Sequence, residues 1–247
     1  MTYGPKKYWE DRLKTNFDIT GVGCLGFNET YNKYLYSLKL SSLGMVLDGH
    51  AVIEGKYVLD IGCGTGFFVD YYSRKGAKKI TGVDITKVSI LKLREKYPHY
   101  NFLVADIGSP NIYLKERFNI VNAFDVLYHI VDDAKFKTAL HNISSLCAKG
   151  GYVLITDYFC KKDIIPATHV HHRRLRTYEN ELSKGGIKIV DIIPMYYLMN
   201  RRFHLPNFML NKICPVFYLI DRSLQRTKTS NGRNMKLMIG TKNSTDD

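Results

Sequence analysis

Residues 58–66 read VLDIGCGTG, and an aspartate, Asp84, ends the segment KITGVD (79–84) eighteen positions after the last of these glycines. An apolar run that breaks into three closely spaced glycines predicts a buried strand, a tight turn and the start of a helix. Glycine reaches positive φ without a Cβ penalty and lets backbone approach a ligand closely. The spacing is Gly62-x-Gly64-x-Gly66, and position 67 is Phe67 rather than a third small residue. A dinucleotide fingerprint needs that small residue, and a phosphate-binding P-loop needs a lysine after its glycines; both are missing.

The same alternation continues outward. YVLDIG (57–62), KITGVD (79–84), NFLVAD (101–106), FNIVNAFDV (118–126) and YVLITDY (152–158) read as strands. Between them FFVDYYSRKG (67–76), VSILKLREKYP (88–98) and DDAKFKTALHNISSLCAKGG (132–151) read as helices closed by Gly76, Pro98 and a glycine pair. A helix near 177–186, a strand in 187–198 and a last strand at 235–242 complete the pattern. Strands alternating with helices indicate βαβ units and a mostly parallel sheet covered on both faces. Residues 1–50 read as a helical cap before this domain, with Tyr31, Tyr34, Leu35, Leu38 and Met45 at helical spacing.

In an open parallel sheet, ligands bind beyond the carboxyl ends of the strands, where strand order reverses. Asp84, at the end of the second strand, suits ribose hydroxyls as donors; Asp106, at the end of the third, suits an exocyclic adenine amine. Each aspartate alone is as well explained as a turn or cap residue. Together with the glycine turn, each at its own strand end, they describe a site for a nucleoside without phosphates.

The ordered set VLDIGCGTG, GVD, VAD, AFDVLYHI (123–130) and KGGYVLITDY (149–158) resembles the successive motifs of class I S-adenosylmethionine (SAM)-dependent methyltransferases, most closely the small-molecule enzymes of the ubiquinone-biosynthesis type. The resemblance implies an α/β, Rossmann-like sheet of seven strands, mostly parallel with an antiparallel last strand and helices on both faces; the long connection in this sequence adds an insertion between strands six and seven. It implies SAM as cofactor, with Asp60 and the turn Gly62, Cys63, Gly64 and Gly66 at the methionine moiety and Asp125 near that end. Asp84 would meet the ribose and Asp106 the adenine, with Ile85 and Ile107 flanking its ring. Tyr8 and Trp9 are candidates to close over the cofactor, and Arg12 to meet its carboxylate.

Methyl transfer from a sulfonium is an in-line displacement, so positioning and desolvation supply most of the catalysis. A hydroxyl acceptor also needs a base, and His129, after the fourth strand, is the catalytic candidate. THVHHRR (168–174) could suggest a metal, but adjacent arginines repel a cation and no acidic partner stands at helical spacing; no metal is expected. The expected acceptor is a small molecule, methylated at oxygen: a sugar, lipid or natural-product intermediate. An RNA or protein methyltransferase is one alternative, against which DVLY stands where amino-methylating nucleic-acid enzymes carry an NPPY-type tetrapeptide. A SAM-binding scaffold without catalysis is the other.

The chain of 247 residues carries a net charge of +13, of which residues 1–160 contribute +4 and residues 161–247 contribute +9. The longest apolar run near the end, ICPVFYLI (213–220), is far short of a bilayer span. The charged N-terminus lacks a signal-peptide core, and the five scattered cysteines form no CxxC pair, so a cytoplasmic, reduced protein is expected. The insertion at about 199–234 and the segment 161–176 start on the cofactor side of the sheet. Their RRLR (173–176) and RRFH (201–204) predict a basic lid that meets an acidic or phosphorylated acceptor, or an anionic membrane surface.

Overall fold

The computed structural model describes residues 3–24, 26–50, 52–199, 206–227 and 234–244. Three helices lead, α1 (Pro5–Thr15), α2 (Ile19–Val22) and α3 (Glu29–His50). The alternating part follows as β1 (Tyr57–Ile61), α4 (Phe67–Arg74), β2 (Lys79–Asp84), α5 (Lys87–Lys96), β3 (Asn101–Val104), β4 (Phe118–Ala123), α6 (Asp133–Leu146) and β5 (Cys147–Asp157). A hairpin of β6 (Ile164–Ala167) and β7 (Val170–His172) precedes α7 (Leu175–Lys184), β8 (Ile187–Pro194), α8 (Asn207–Gln225) and β9 (Lys236–Lys242).

Seven strands form one sheet in the order β3-β2-β1-β4-β5-β9-β8. β9 runs antiparallel to both neighbours and the other pairs are parallel, so the expected Rossmann-like architecture is present. The strands are apolar on both faces because helices cover both. Val58, Ile80, Ile120 and Leu154 point into one core with Tyr31, Leu35 and Leu38 of α3 and Val69 and Tyr72 of α4. Leu59, Val83, Val121 and Val153 point into the other, with Phe136, Leu140 and Ile143 of α6 and Tyr178 and Leu182 of α7. The N-terminal helices therefore share a core with the sheet; Met45, expected on the buried stripe, is 36% exposed.

Several boundaries differ from those read in the sequence. The glycine pair 150–151 does not close α6, which ends at Leu146. Cys147 already has extended dihedrals and pairs with Phe118. The pairing of β4 with β5 shifts register between Phe118 and Ile120, and Gly150, at φ +68°, supplies the left-handed residue of that irregularity. The third and fourth strands stop at Val104 and Ala123, leaving Asp106 and Asp125 on the loops beyond them.

Among the described residues, the connection from β8 to β9 contains one long helix, α8. α8 packs on α3 and reaches the strap that follows β8. The Asp221 carboxylate, fully buried, accepts from the amides of Leu198 (2.8 Å) and Met199 (2.9 Å). Gln225 Nε2 donates to Leu38 O (3.0 Å), Ser42 Oγ (2.9 Å) and Met195 O. RRFH (201–204) lies outside the described residues.

Replacing Asp221 by Ala strands the buried Met199 amide and the part-buried Leu198 amide, at about 1–3 kcal/mol for a fully buried unsatisfied group. In a domain of this size each kcal/mol lowers Tm by roughly 2–4 °C. Asp221→Ala should therefore melt several degrees below the parent, and Asp221→Asn, which keeps one acceptor oxygen, in between. An unchanged circular-dichroism melt would mean that α8 is not what secures the strap.

Candidate active site

Strand order reverses between β1 and β4, and the turn after β1 sits at that reversal. Gly62, at φ +69°, has no space for a side chain: a Cβ there would lie 2.3 Å from Val126 Cγ2. At Gly66, φ +81°, it would lie 2.5 Å from Leu93 Cδ2. The amides of Gly62 and Cys63 donate to Val83 O (2.7 and 3.1 Å), which folds the turn across the end of β2. One cavity opens there. Its wall takes Gly62, Cys63, Gly64 and Thr65 from the turn, Asp84 and Ile85 from the end of β2, and Asp106 and Ile107 from the loop after β3. Asp125 and His129 come from the loop after β4, and Trp9, Leu13, Val22 and Tyr36 from the N-terminal helices.

The carboxylates are held differently. Asp84 accepts at Oδ1 from the Thr86 amide (2.8 Å) and hydroxyl (2.7 Å), and at Oδ2 from the Gly64 amide (2.9 Å). An ionised carboxyl accepts at about four positions, so three protein donors leave it capacity for a ligand. Burial raises its pKa against the pull of these donors. Asp106 accepts from the Gly108 amide (2.9 Å) and pairs with Lys135 (3.1 Å). Asp60 does not line the cavity. It lies buried beneath the turn, with Oδ1 accepting from Asn122 Nδ2 (2.5 Å), and burial pushes its pKa up to about 7. Cys63 is buried in the wall, and burial pushes its thiol up.

Asp125 adopts φ +58°, a left-handed conformation that a non-glycine residue holds only when its surroundings fix it. They do: its amide donates to Thr156 Oγ1 (2.8 Å), whose hydroxyl lies 3.2 Å from Asp125 Oδ1. Lys39, from the middle of α3, is hydrogen-bonded to Oδ2 and lies 4.0 Å from the ring centroid of Tyr36. Burial opposes both charges, and the mutual attraction outweighs it: Lys39 is raised and Asp125 lowered. The reading of the sequence missed Lys39. Its only signal was a lysine flanked by Leu38 and Leu40 in the middle of α3.

His129 closes a 3-10 turn (Leu127–His129), and its Nδ1 lies 2.9 Å from His169 O. A carbonyl only accepts, so Nδ1 carries the proton and Nε2 keeps a lone pair. Burial lowers the pKa to about 4. Trp9 meets the imidazole edge-on at 4.9 Å and forms part of the cavity wall. Tyr8 instead stacks on His169 at 5.2 Å, outside the wall. Arg12, expected at a carboxylate, donates to Thr20 O (3.2 Å) and Gly23 O and lies against Trp9, where it secures α2.

The RRLR stretch is not a lid surface throughout. Arg173 is 2% exposed, donates to Asp133 Oδ1 (3.0 and 2.8 Å) and Val131 O (3.2 Å), and covers the ring of Phe136. In the histidine cluster, His172 is buried with Nδ1 2.5 Å from Asp157 Oδ1, and Tyr178 donates to the other oxygen (2.5 Å). α8 contributes nothing to the cavity wall.

Known proteins share both the sequence pattern and the fold. The family model described as a methyltransferase domain matches residues 42–192. A ubiquinone biosynthesis O-methyltransferase of Alkalilimnicola ehrlichii is 27% identical over 126 residues, 48% of this chain and 47% of the relative. The chain thus spans about half the length of the curated relatives it matches. Among solved structures, the N-methyltransferase NodS of Bradyrhizobium japonicum in complex with S-adenosylhomocysteine superposes with a TM-score of 0.58 at 16% identity, covering 95% of this chain and 98% of that one. Magnesium protoporphyrin IX methyltransferase of Synechocystis with bound SAM gives 0.59 at 14%, covering 98% of each. These structural matches establish the fold. With the family match over residues 42–192, the chain belongs to the methyltransferase-domain family of SAM-dependent enzymes.

Proposed function

We propose that the protein methylates a hydroxyl group of a small molecule in the cytoplasm, a sugar, lipid or natural-product intermediate, with SAM as donor. One observation carries this reading: the glycine turn, Asp84, Asp106, Asp125 and His129 meet in a single cavity at the reversal of strand order. Asp84 is assigned to the ribose and Asp106 to the adenine amine, with Ile85 and Ile107 against the ring. Gly62, Cys63, Gly64, Gly66 and Asp125 are assigned to the methionine end. Asp60, outside the wall, acts through the turn above it.

When bound, SAM supplies an electrophilic methyl group on a cationic sulfur, and the S–CH3 electron pair stays on the departing thioether. The chain's own task is to orient the acceptor, exclude water and take its proton. Trp9, Leu13, Tyr36, Phe67, Phe68 and Phe124 give the cavity apolar walls suited to desolvation. His129 Nε2 accepts the hydroxyl proton as the new O–CH3 bond forms. The positive charge it gains replaces the one lost at sulfur, and the Asp125 carboxylate stabilises it. The insertion at 199–234 is assigned a covering role on the acceptor side. Tyr196, in the strap ahead of it, feels the charge of Asp125, and α8 ties that strap down. The excess positive charge of residues 161–247 favours an anionic partner.

Asp84→Ala should weaken SAM binding severalfold to about a hundredfold by calorimetry, since it strands ligand hydroxyls worth about 1–3 kcal/mol and frees the Gly64 amide. Full affinity in that variant would place the ribose elsewhere. Before ligand binds, the His129 ring should stay neutral down to about pH 4 in an NMR titration, with no inflection near 6.5. Its folded pKa is depressed, so its contribution to stability is complete above about 6.5 and is lost as pH falls towards 4. Asp60, raised to about 7, works oppositely, its contribution being lost as pH rises from about 4 through 7. Radiolabelled SAM turned over against fractionated metabolite and RNA extracts would identify the acceptor. With that acceptor, His129→Ala should lower the rate by about 10²–10⁴ with SAM affinity kept. A labelled RNA product would overturn the small-molecule reading.

A further inference from the structure

α8 has two unlike faces. Leu210, Cys214, Asp221 and Gln225 are buried. Phe208 and Leu219 are 65% and 66% exposed, and Met209, Val216 and Ile220 are exposed beside them. At about 100° per residue these five side chains fall within an arc of about 120° on the side opposite the buried four. An apolar arc of this size on an outward helix face is more than a solvated surface needs.

The charge of this stretch of sequence has one sign. Residues 199–234 contain seven Lys or Arg and a single acid, Asp221. Asp221 is fully buried and spent on the Leu198 and Met199 amides. Among the described residues of α8, the exposed charges are Lys212, within the arc, and Arg222 near its edge. Arg226, one residue past the helix, continues that edge. Long basic side chains can lay their stems along apolar surface and hold the charge at headgroup level. A second copy of this chain is a poor occupant, because a two-fold contact would set these cations against their own copies. No described helix is long and apolar enough to cross a membrane.

We infer that the outer face of α8 docks in the plane of an anionic lipid bilayer, its apolar arc entering the interface and Lys212, Arg222 and Arg226 meeting acidic headgroups. Apolar area and attraction to anionic lipid together set the strength of such binding. The inference rests on the anionic-partner part of the proposed function and specifies that partner.

The experiment is vesicle flotation of the full chain with phosphatidylcholine alone and with phosphatidylcholine–phosphatidylglycerol mixtures. Binding should be about tenfold or more stronger to the mixture and fall as salt is raised. The double variant Phe208→Glu, Leu219→Glu should lose about tenfold or more, and so should Lys212→Glu, Arg226→Glu, whose side chains are at the surface. Unchanged melts and an unchanged response to SAM would certify both folds. Excess glycerol phosphate should not release the protein, since the apolar arc needs a bilayer; release by it would reduce the surface to a phosphate site and overturn the inference. Equal binding to both vesicle types, no flotation, or variants that float like the parent would also overturn it. So would a dimer in light scattering that either variant dissolves. A chain that ignores SAM yet floats with the acidic vesicles keeps this inference and sinks the methyl-transfer reading; the reverse sinks only this one.

Discussion

The turn after β1 has to reverse the chain from strand to helix while packed tightly against Val126 and Leu93 beneath it, and the rest of the site follows from that constraint. Val126 sits under Gly62 and Leu93 under Gly66, each close enough to forbid a side chain. Val83 O gathers two amides of the turn, and Asp84 gathers a third through Gly64. The ends of β2 and β4 are thereby locked to the end of β1, and the cavity is the space left above them. A Cβ at Gly62 would displace the loop that carries Asp125 and His129 as well as straining its own backbone. The glycine turn is thus a packing element for the whole donor end and not only an open approach for a ligand.

Lys39 and Asp125 tie the N-terminal helices to that end. A buried ion pair seldom adds stability over an apolar pair of the same volume, because desolvation offsets the attraction. Here its contribution is geometric. Asp125 sits in an unfavourable left-handed conformation, and Lys39, Thr156 and the Tyr36 ring define one arrangement for it. The pair also sets the field that His129 feels. Burial drives the imidazole towards neutrality, while the adjacent carboxylate favours its protonated form, so a proton arriving at Nε2 is met by charge already in place.

Much of this was legible in the sequence, because local patterns encode local geometry. Short apolar runs between amphipathic stretches gave all seven sheet strands, though not all their boundaries, and the glycines marked the site turn. Where the sequence misled, a tertiary partner decided. Gly150 and Gly151 resemble a helix cap, but Phe118 pairs with Cys147 and draws them into β5. Arg173 looks like surface charge in RRLR, yet Asp133 and Phe136 bury it. Arg12 donates to the carbonyls of Thr20 and Gly23 and does not line the cavity. Lys39, flanked by two leucines, gave only a weak local signal, and its partner stands 86 positions away. The β6–β7 hairpin is three or four residues a side and too short for periodicity to show.

α8 combines both kinds of information. Its composition, apolar with one lysine and one arginine, fits a lid, a core helix or an interfacial helix equally well. Only the burial pattern separates them. Asp221 and Gln225 face inward because Asp221 accepts from the strap amides of Leu198 and Met199, and Gln225 donates to the carbonyls of Leu38 and Met195 and the hydroxyl of Ser42. Once those polar residues are committed to the interior, helical periodicity forces Phe208, Val216 and Leu219 outward, whatever their hydrophobicity. Residues that would ordinarily fill a core are therefore held at the surface by the hydrogen-bonding needs of the strap. The same rotation leaves the helix's only acid inside and its cations outside, so the apolar arc and the uniform positive charge have one structural cause.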